Sequence, residues 1–177
     1  HTDLYLGWAM NPYFSGYAKA TAIEKRREKG MKVIIVDPKI TPAVERLCDL
    51  YLRPYPGTDG ALALCMGNIL IENGWIDAAY IEKYVHGFEE YKAYVKQFNE
   101  SNVEALTGVP YEQVLEACRM IWESSSMCIN ENSAPIPHHK NGFQNYRAIM
   151  ALLALTGNYD RVGGQLPDLH SFTHQMA

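Results

Sequence analysis

Three side chains, Asn11, Asp37 and Asp59, each stand where an apolar run gives way to a turn, and they are the first candidates for chemistry in this chain of 177 residues. Asn11 follows the run Leu4 to Trp8 and precedes Pro12, the arrangement of an N-cap with proline at the first helical position. A helix opening there offers free backbone N–H groups to a phosphate or a polar ring edge. On composition alone the plain capping role of Asn11 is favoured. Asp37 ends Val33-Ile34-Ile35-Val36, where nucleotide-binding α/β chains place a carboxylate against ribose hydroxyls. A turn in which its carboxylate bonds the following backbone before Pro38 explains it equally well. Asp59 follows Pro56-Gly57-Thr58 and opens the most apolar stretch of the chain. It reads either as a first-turn acid favoured by the helix dipole or as a carboxylate that accepts from the paired N–H donors of guanine. Adenine presents an acceptor at that edge and would be repelled.

Other chemistries are disfavoured. The turn Gly7-Trp8-Ala9-Met10-Asn11-Pro12 lacks the G-x-G-x-x-G spacing of an ordinary NAD site. Cys48, Cys65, Cys118 and Cys128 form no C-x-x-C pair, and three of them lie in apolar runs expected to bury a reduced thiol. His138-His139 and His170 with His174 lack carboxylates at ligand spacing, which disfavours a metal site. No G-x-S-x-G elbow marks a hydrolytic nucleophile. The tyrosines from Tyr80 to Tyr94 are expected to pack rather than to stack bases. Sixteen Lys and Arg against 20 Asp and Glu leave a formal charge of -4, which argues against a nucleic-acid binder. The longest apolar stretch, Ala61 to Ile71, is broken by Gly67-Asn68 and falls short of the roughly 20 residues of a membrane span. The chain begins at His1 and its first residues already read as a strand, so a leader or a preceding domain is not expected within it.

The elements that must position these residues follow from periodicity. Strands are expected at Leu4 to Trp8, Met31 to Val36, Leu50 to Arg53 and Met127 to Asn130, with the unbroken β-branched run of the second typical of a parallel strand buried on both faces. Helices are expected at Tyr13 to Lys29, with Phe14, Tyr17, Ala18, Ala22 and Ile23 as the apolar face, and at Pro42 to Leu47, Ala61 to Ile71, Tyr111 to Glu123 and Gln144 to Leu155. Two or three small helices between Asp77 and Val109 form a helical side lobe. Gly163-Gly164 is read as the start of an irregular tail. The alternation predicts an α/β fold, an open, mostly parallel sheet with helices on both faces, Rossmann- or flavodoxin-like. Residues 1–167 are expected to make one domain, with the side lobe at 77–109 and a tail at 168–177. In such sheets ligands bind outside the carboxyl ends of the strands, which is where Asn11, Asp37 and Asp59 stand.

Six blocks in order carry a family resemblance over nearly the whole chain. They are Leu6-Gly7 through Asn11-Pro12; Lys32 to Lys39 with Thr41; Asp49 followed by Leu52 to Leu64, the most specific; Gly87-Phe88-Glu89-Glu90-Tyr91; Leu106-Thr107-Gly108-Val109; and Leu155-Thr156-Gly157-Asn158 with Gly163-Gly164. The sequence resembles the molybdopterin oxidoreductases, the family of formate dehydrogenase, periplasmic nitrate reductase and dimethyl sulfoxide reductase. The resemblance implies a bis(molybdopterin guanine dinucleotide) cofactor carrying Mo or W, with this chain as an α/β domain that anchors one guanine dinucleotide half. It carries Asn11, Asp37 and Asp59 onto cofactor-contacting positions, with Thr41 and Gly57 in support. It also implies that the remaining domains of a parent enzyme complete the site, and that a metal-proximal ligand and any iron-sulfur cluster lie upstream. One departure stands out: the family's glycine-rich loop ending in glutamine is replaced by Ser133-Ala134-Pro135-Ile136-Pro137-His138, whose prolines restrict backbone approach to a ring. Two other readings compete: a noncatalytic homologue that keeps the fold as a protein-interaction module, and a free-standing nucleotide-binding protein of flavodoxin-like shape.

Overall fold

Five consecutive residues with no exposed face, Leu4–Trp8, form β1, the strand around which the sheet is built. The computed structural model describes residues 1–131, 136, 138 and 140–166. Strands β2 (Lys32–Val36) and β3 (Leu50–Leu52) lie to one side of β1, and β4 (Met127–Glu131) to the other, in the order β3-β2-β1-β4 with every pair parallel. The expected α/β fold with a parallel sheet is therefore present. Helices α1 (Pro12–Ser15), α2 (Tyr17–Arg27) and α3 (Pro42–Leu47) belong to the crossovers among the first three strands. Helices α4 (Asp59–Glu72), α5 (Ala78–Tyr84), α6 (Phe88–Val95), α7 (Val103–Thr107) and α8 (Tyr111–Glu123) separate β3 from β4, and α9 (Gly142–Leu155) follows.

Strand alternation divides the core in two. Leu4, Leu6, Trp8, Ile34, Val36, Leu52, Met127 and Ile129 face one side, against apolar residues of α4, α8 and α9. Tyr5, Val33 and Ile35 face the other, against Ile23 of α2 and Ala43 and Leu47 of α3. The sheet is thus covered on both faces, as an all-parallel sheet requires. Asp49 fixes the approach to β3: its Oδ2 accepts the Val33 N–H at 2.8 Å and its Oδ1 pairs with Arg27 at 3.1 Å. Three short helices, α5 to α7, occupy the stretch expected to form a side lobe. Cys65 and Cys118 are buried, and burial pushes the Cys65 thiol up to about 12 and the Cys118 thiol well above its ordinary value.

Two expectations need correction. The single helix expected from Tyr13 to Lys29 is two helices broken at Gly16, whose extended backbone caps both. The Gly16 N–H closes α1 on Pro12 O, and its carbonyl opens α2 by accepting from Lys19 N. The helical phase therefore resets. Ala20 and Ile23 are buried, while Phe14 and Tyr17 of the expected apolar face are 81% and 69% exposed. Gly163-Gly164, expected to begin an irregular tail, instead closes a turn against the edge of the sheet. Asn158 Oδ1 accepts the Met127 N–H at 2.8 Å, Gln165 Oε1 accepts the Ile129 N–H at 3.1 Å, and Tyr159 bridges Gln165. Two side-chain amides thus occupy donors that an edge strand would leave open. Gly163 sits at φ +81, and a Cβ there would fall 2.6 Å from both the His1 carbonyl and Ser126 Oγ. The tail at 168–177, with His170 and His174, lies outside the described residues.

Asn158 is 4% exposed, so its truncation strands a buried N–H. Asn158→Ala is expected to destabilise the chain by about 1–3 kcal/mol in urea denaturation, with Gln165→Ala costing less because its site is more open. Equal, negligible losses for both would show that the edge is satisfied by other groups.

Candidate functional site

The chain runs from β1 outward to β2 and β3, then returns to place β4 on the other side of β1, so the topological switch point lies between β1 and β4. The crevice outside the carboxyl ends of those strands is where an open parallel sheet receives a ligand. Across this edge the register aligns Leu52, Val36, Trp8 and Glu131 in one row. Asn11, Asp37 and Asp59 stand just beyond it.

Asn11 occupies the N-cap position of α1, yet its side chain makes no capping bond. The turn is held by its backbone instead, since the Asn11 carbonyl accepts from Phe14 N and Ser15 N, each at 3.1 Å. Its Oδ1 is buried with no hydrogen-bond partner among the described residues. The capping role favoured on composition is not the one the side chain plays. With only four residues, α1 also lacks the aligned dipole expected of a long helix at this point.

Asp37 bonds its own turn, as Oδ1 accepts the Lys39 N–H at 2.8 Å. Its backbone is fixed on both sides, with Asp37 N donating to Leu52 O and the Tyr51 hydroxyl donating to Asp37 O at 2.8 Å. Burial pushes the carboxyl up, Lys39 pulls it down, and the charge of Asp59 adds to the upward push. The two carboxylates are therefore close enough to feel each other.

Asp59 is the first residue of α4 and only 8% exposed. Its Oδ1 accepts the Trp8 indole N–H at 2.8 Å, a bond spanning 51 residues of chain. Trp8 is fully buried, and its indole has to find an acceptor somewhere. The carboxylate is thus held rigid by one oxygen at the carboxyl edge. Sequence reasoning did not foresee this partner, although a tryptophan ending an apolar strand is itself a signal that an acceptor stands nearby.

The two supporting residues play different parts. Thr41 caps α3, its Oγ1 accepting Val44 N at 3.4 Å. Gly57 is exposed at φ +86 in the turn after β3, a conformation that favours glycine. It borders a cavity of about 670 Å³ shared with Thr58, Gly60, Tyr91, Asn145 and Arg147. Gly60 lets the first turns of α4 and α9 touch, because a Cβ there would lie 2.5 Å from Asn145 Oδ1. The structure brings Asp37, Asp59 and Asn11 to one edge and leaves Thr41 and Gly57 as the turns that frame it. Ile136 and His138 are the described members of the loop at 133–138, whose remaining residues, like His139, lie outside the described ones.

The acceptors stand beside a switch point in an all-parallel sheet, the place at which open α/β folds receive their ligands. The family model "Molybdopterin oxidoreductase" matches residues 1–175, and the chain belongs to that family. It is similar to "Probable oxidoreductase YoaE" of Bacillus subtilis, 34% identical over 93% of this chain and 24% of that protein. It is also similar to formate dehydrogenase H of Escherichia coli, 31% identical over 89% of this chain and 22% of that protein. Among solved structures, acetylene hydratase from Pelobacter acetylenicus matches with a TM-score of 0.85 and 25% identity, over 93% of this chain and 23% of that one. The chain therefore spans about a quarter of the length of these relatives. The family implies a molybdenum or tungsten pterin cofactor. Among the described residues no helix is long and apolar enough to cross a membrane.

Asp37 has a folded pKa above its ordinary value of 3.8, so the native state binds more protons than the unfolded chain in the window between the two. Its contribution to stability is fullest below that window and falls as pH rises through it. Asp37→Asn keeps an oxygen for the Lys39 N–H and removes the charge. It is expected to raise Tm at neutral pH and to leave Tm unchanged below the carboxylate range. A lowered Tm at neutral pH would show that the ionised form is stabilising.

Proposed function

We propose that this chain is the domain of a molybdenum or tungsten oxidoreductase that anchors one guanine dinucleotide half of a bis(molybdopterin guanine dinucleotide) cofactor. The observation that carries the reading is the buried, unpartnered Oδ1 of Asn11 at the β1–β4 switch point, on the same edge as Asp37 and Asp59. An orphaned buried acceptor costs about 1–3 kcal/mol unless a donor meets it. Guanine and ribose are rich in N–H and O–H donors, so the residues present fit such a group.

When bound, the cofactor supplies the metal at which electrons and oxygen-atom chemistry are handled. The chain's own residues bind and orient. Asp59, fixed by the Trp8 indole through Oδ1, offers its second oxygen and a remaining lone pair to the paired donors of guanine. Asp37, with Oδ1 committed to Lys39, offers Oδ2 to ribose hydroxyls. Asn11 Oδ1 accepts from a donor in the crevice, and Gly57 keeps the turn beneath Asp59 free of side-chain bulk. Residues 1–167 act as one domain in this role. The remaining domains of the parent enzyme contribute the second cofactor half, the metal-proximal ligand and any iron-sulfur cluster.

Calorimetry on the purified chain is expected to show GDP binding more tightly than ADP. Asp59→Asn keeps an oxygen for Trp8 and places a donor amide where the second oxygen stood. It should lower GDP affinity by about 1–3 kcal/mol with little change in Tm. Equal binding of GDP and ADP by the unaltered chain would overturn the guanine assignment.

Among the described residues no group of three or more His, Cys, Asp or Glu could hold a metal ion. Because a metal held between two cofactor halves needs both anchoring domains, elemental analysis of the isolated chain is expected to find neither molybdenum, tungsten nor iron, and the chain is expected to reduce no dye with formate, nitrate or sulfoxides. Stoichiometric metal would place a second site in this chain.

A further inference from the structure

The carboxyl end of β4 carries a carboxylate that the site above does not use. Glu131 is the last residue of β4, in register with Trp8, and alternation with Met127 and Ile129 turns it to the α9 face of the sheet. Its Oε2 is buried with no hydrogen-bond partner among the described residues, while Tyr146 of α9 hydrogen-bonds the same carboxyl group. Burial pushes this carboxyl up against the opposing pull of Lys19 and Tyr146. A buried acceptor left in this state is the kind of exception that a ligand explains.

The surroundings say which ligand. Glu131 lines a cavity of about 470 Å³ with Tyr146, Arg147, Met150, Tyr159 and Gln165. Two aromatic rings and a thioether give flat, polarisable walls suited to a planar ring. Gln165 spends its Oε1 on the Ile129 N–H, which leaves its amide nitrogen as a donor. Arg147 is exposed and, among the described residues, spends only Nη1, on Gln144 Oε1 at 3.3 Å, so most of its guanidinium fork is available as a donor there. The cavity thus combines one anionic acceptor with two donors between apolar walls.

We infer that this cavity receives the 2-amino-4-oxopyrimidine edge of a fused ring, whose ring N–H and amino group donate to Glu131 while its oxo group accepts from Arg147 or Gln165. Guanine and pterin share that edge. Because the proposed function commits guanine's paired donors to Asp59, the pterin end is the one left to supply it here, and a guanine effect at Glu131 would move the guanine from Asp59 to this cavity. The inference rests on the proposed cofactor role for the identity of the ring, and on the cavity for its chemistry. It makes Glu131 a specificity-determining residue distinct from Asp59.

The test titrates 6-hydroxymethylpterin, followed by its fluorescence, and GDP, followed by calorimetry, into the unaltered chain, Glu131→Gln and Asp59→Asn. Glu131→Gln keeps an oxygen for Tyr146 and puts an amide nitrogen at the orphaned position. It should weaken one of the two probes about tenfold, the scale of one lost charge-assisted hydrogen bond, and leave Tm at or above that of the unaltered chain. Loss confined to the pterin assigns the cavity to the pterin end, and loss confined to GDP assigns it to the guanine end in place of Asp59. The 2,4-dioxo analogue of the pterin, which turns an acceptor toward Glu131, should bind the unaltered chain weakly. Glu131→Asp, which retracts the carboxylate by one methylene, serves if Glu131→Gln does not fold, and should lose the same probe.

Binding of neither probe by the unaltered chain, or unchanged binding of both by Glu131→Gln, overturns the inference. A retained GDP preference over ADP with no effect at Glu131 overturns this inference alone. Loss of that preference with an intact pterin effect at Glu131 overturns the guanine assignment of Asp59 alone.

Discussion

The hydrogen bond between the Trp8 indole and Asp59 is the constraint on which the site's geometry depends. Trp8 is fully buried at the end of the central strand, and Asp59 is 8% exposed at the start of α4. Neither group tolerates its position without the other: a desolvated carboxylate needs a donor, and a buried indole N–H needs an acceptor. The bond at 2.8 Å therefore locks the first turn of α4 to the carboxyl end of β1. The dipole of α4, a helix of 14 residues, favours the acid at the same place. Because α9, α8, α7 and α6 all pack on α4, fixing its register fixes theirs.

That packing is made possible by what α4 lacks. Gly60 and Gly67 are seven residues apart and so lie on nearly the same face of the helix. A Cβ at Gly60 would lie 3.3 Å from Asn145 Cα, and a side chain at Gly67 would run into the ring of Tyr91. The first glycine seats α9 and the second seats α6, which draws the side lobe down onto the helix that holds Asp59. The buried amide of Asn68 and the hydroxyl of Tyr91 remain without partners among the described residues, so this close approach is made at some cost in polar satisfaction.

Much of this was legible from local signals. The β-branched run at Val33 to Val36 declared a strand buried on both faces, and the apolar stretch opened by Asp59 declared the central helix. The acceptors at strand ends were legible because an open α/β sheet concentrates chemistry there. What the sequence hid was nonlocal. Gly16 is an unremarkable interior glycine by pattern, yet it resets the helical phase and turns Phe14 and Tyr17 outward. The capping reading of Asn11 was sound by residue preference and failed because the backbone alone closes that turn. Asn158 and Gln165 read as the residues of a loop, and only the strand order reveals that they close the edge of β4. Glu131 passed unnoticed because a carboxylate at the end of a short strand carries no pattern of its own.

Read together, the carboxyl edge is unevenly equipped. Asn11, Asp37, Asp59 and Glu131 all offer acceptors, and two of them, Asn11 and Glu131, hold a buried oxygen with no partner among the described residues. A dinucleotide has two demands: its rings and sugars need acceptors for their N–H and O–H groups, and its pyrophosphate needs donors and positive charge. With four residues, α1 supplies little of the second. In the proposed role, a domain with this edge recognises the neutral, donor-bearing parts of such a ligand, since carboxylates facing the pyrophosphate would repel it. On the proposed reading the division of labour is therefore electrostatic: this chain selects and orients rings and sugars, and the charge of the linking phosphates has to be met largely by the parts of the parent enzyme that lie beyond it. The relatives' length, of which this chain spans about a quarter, leaves ample protein for that task.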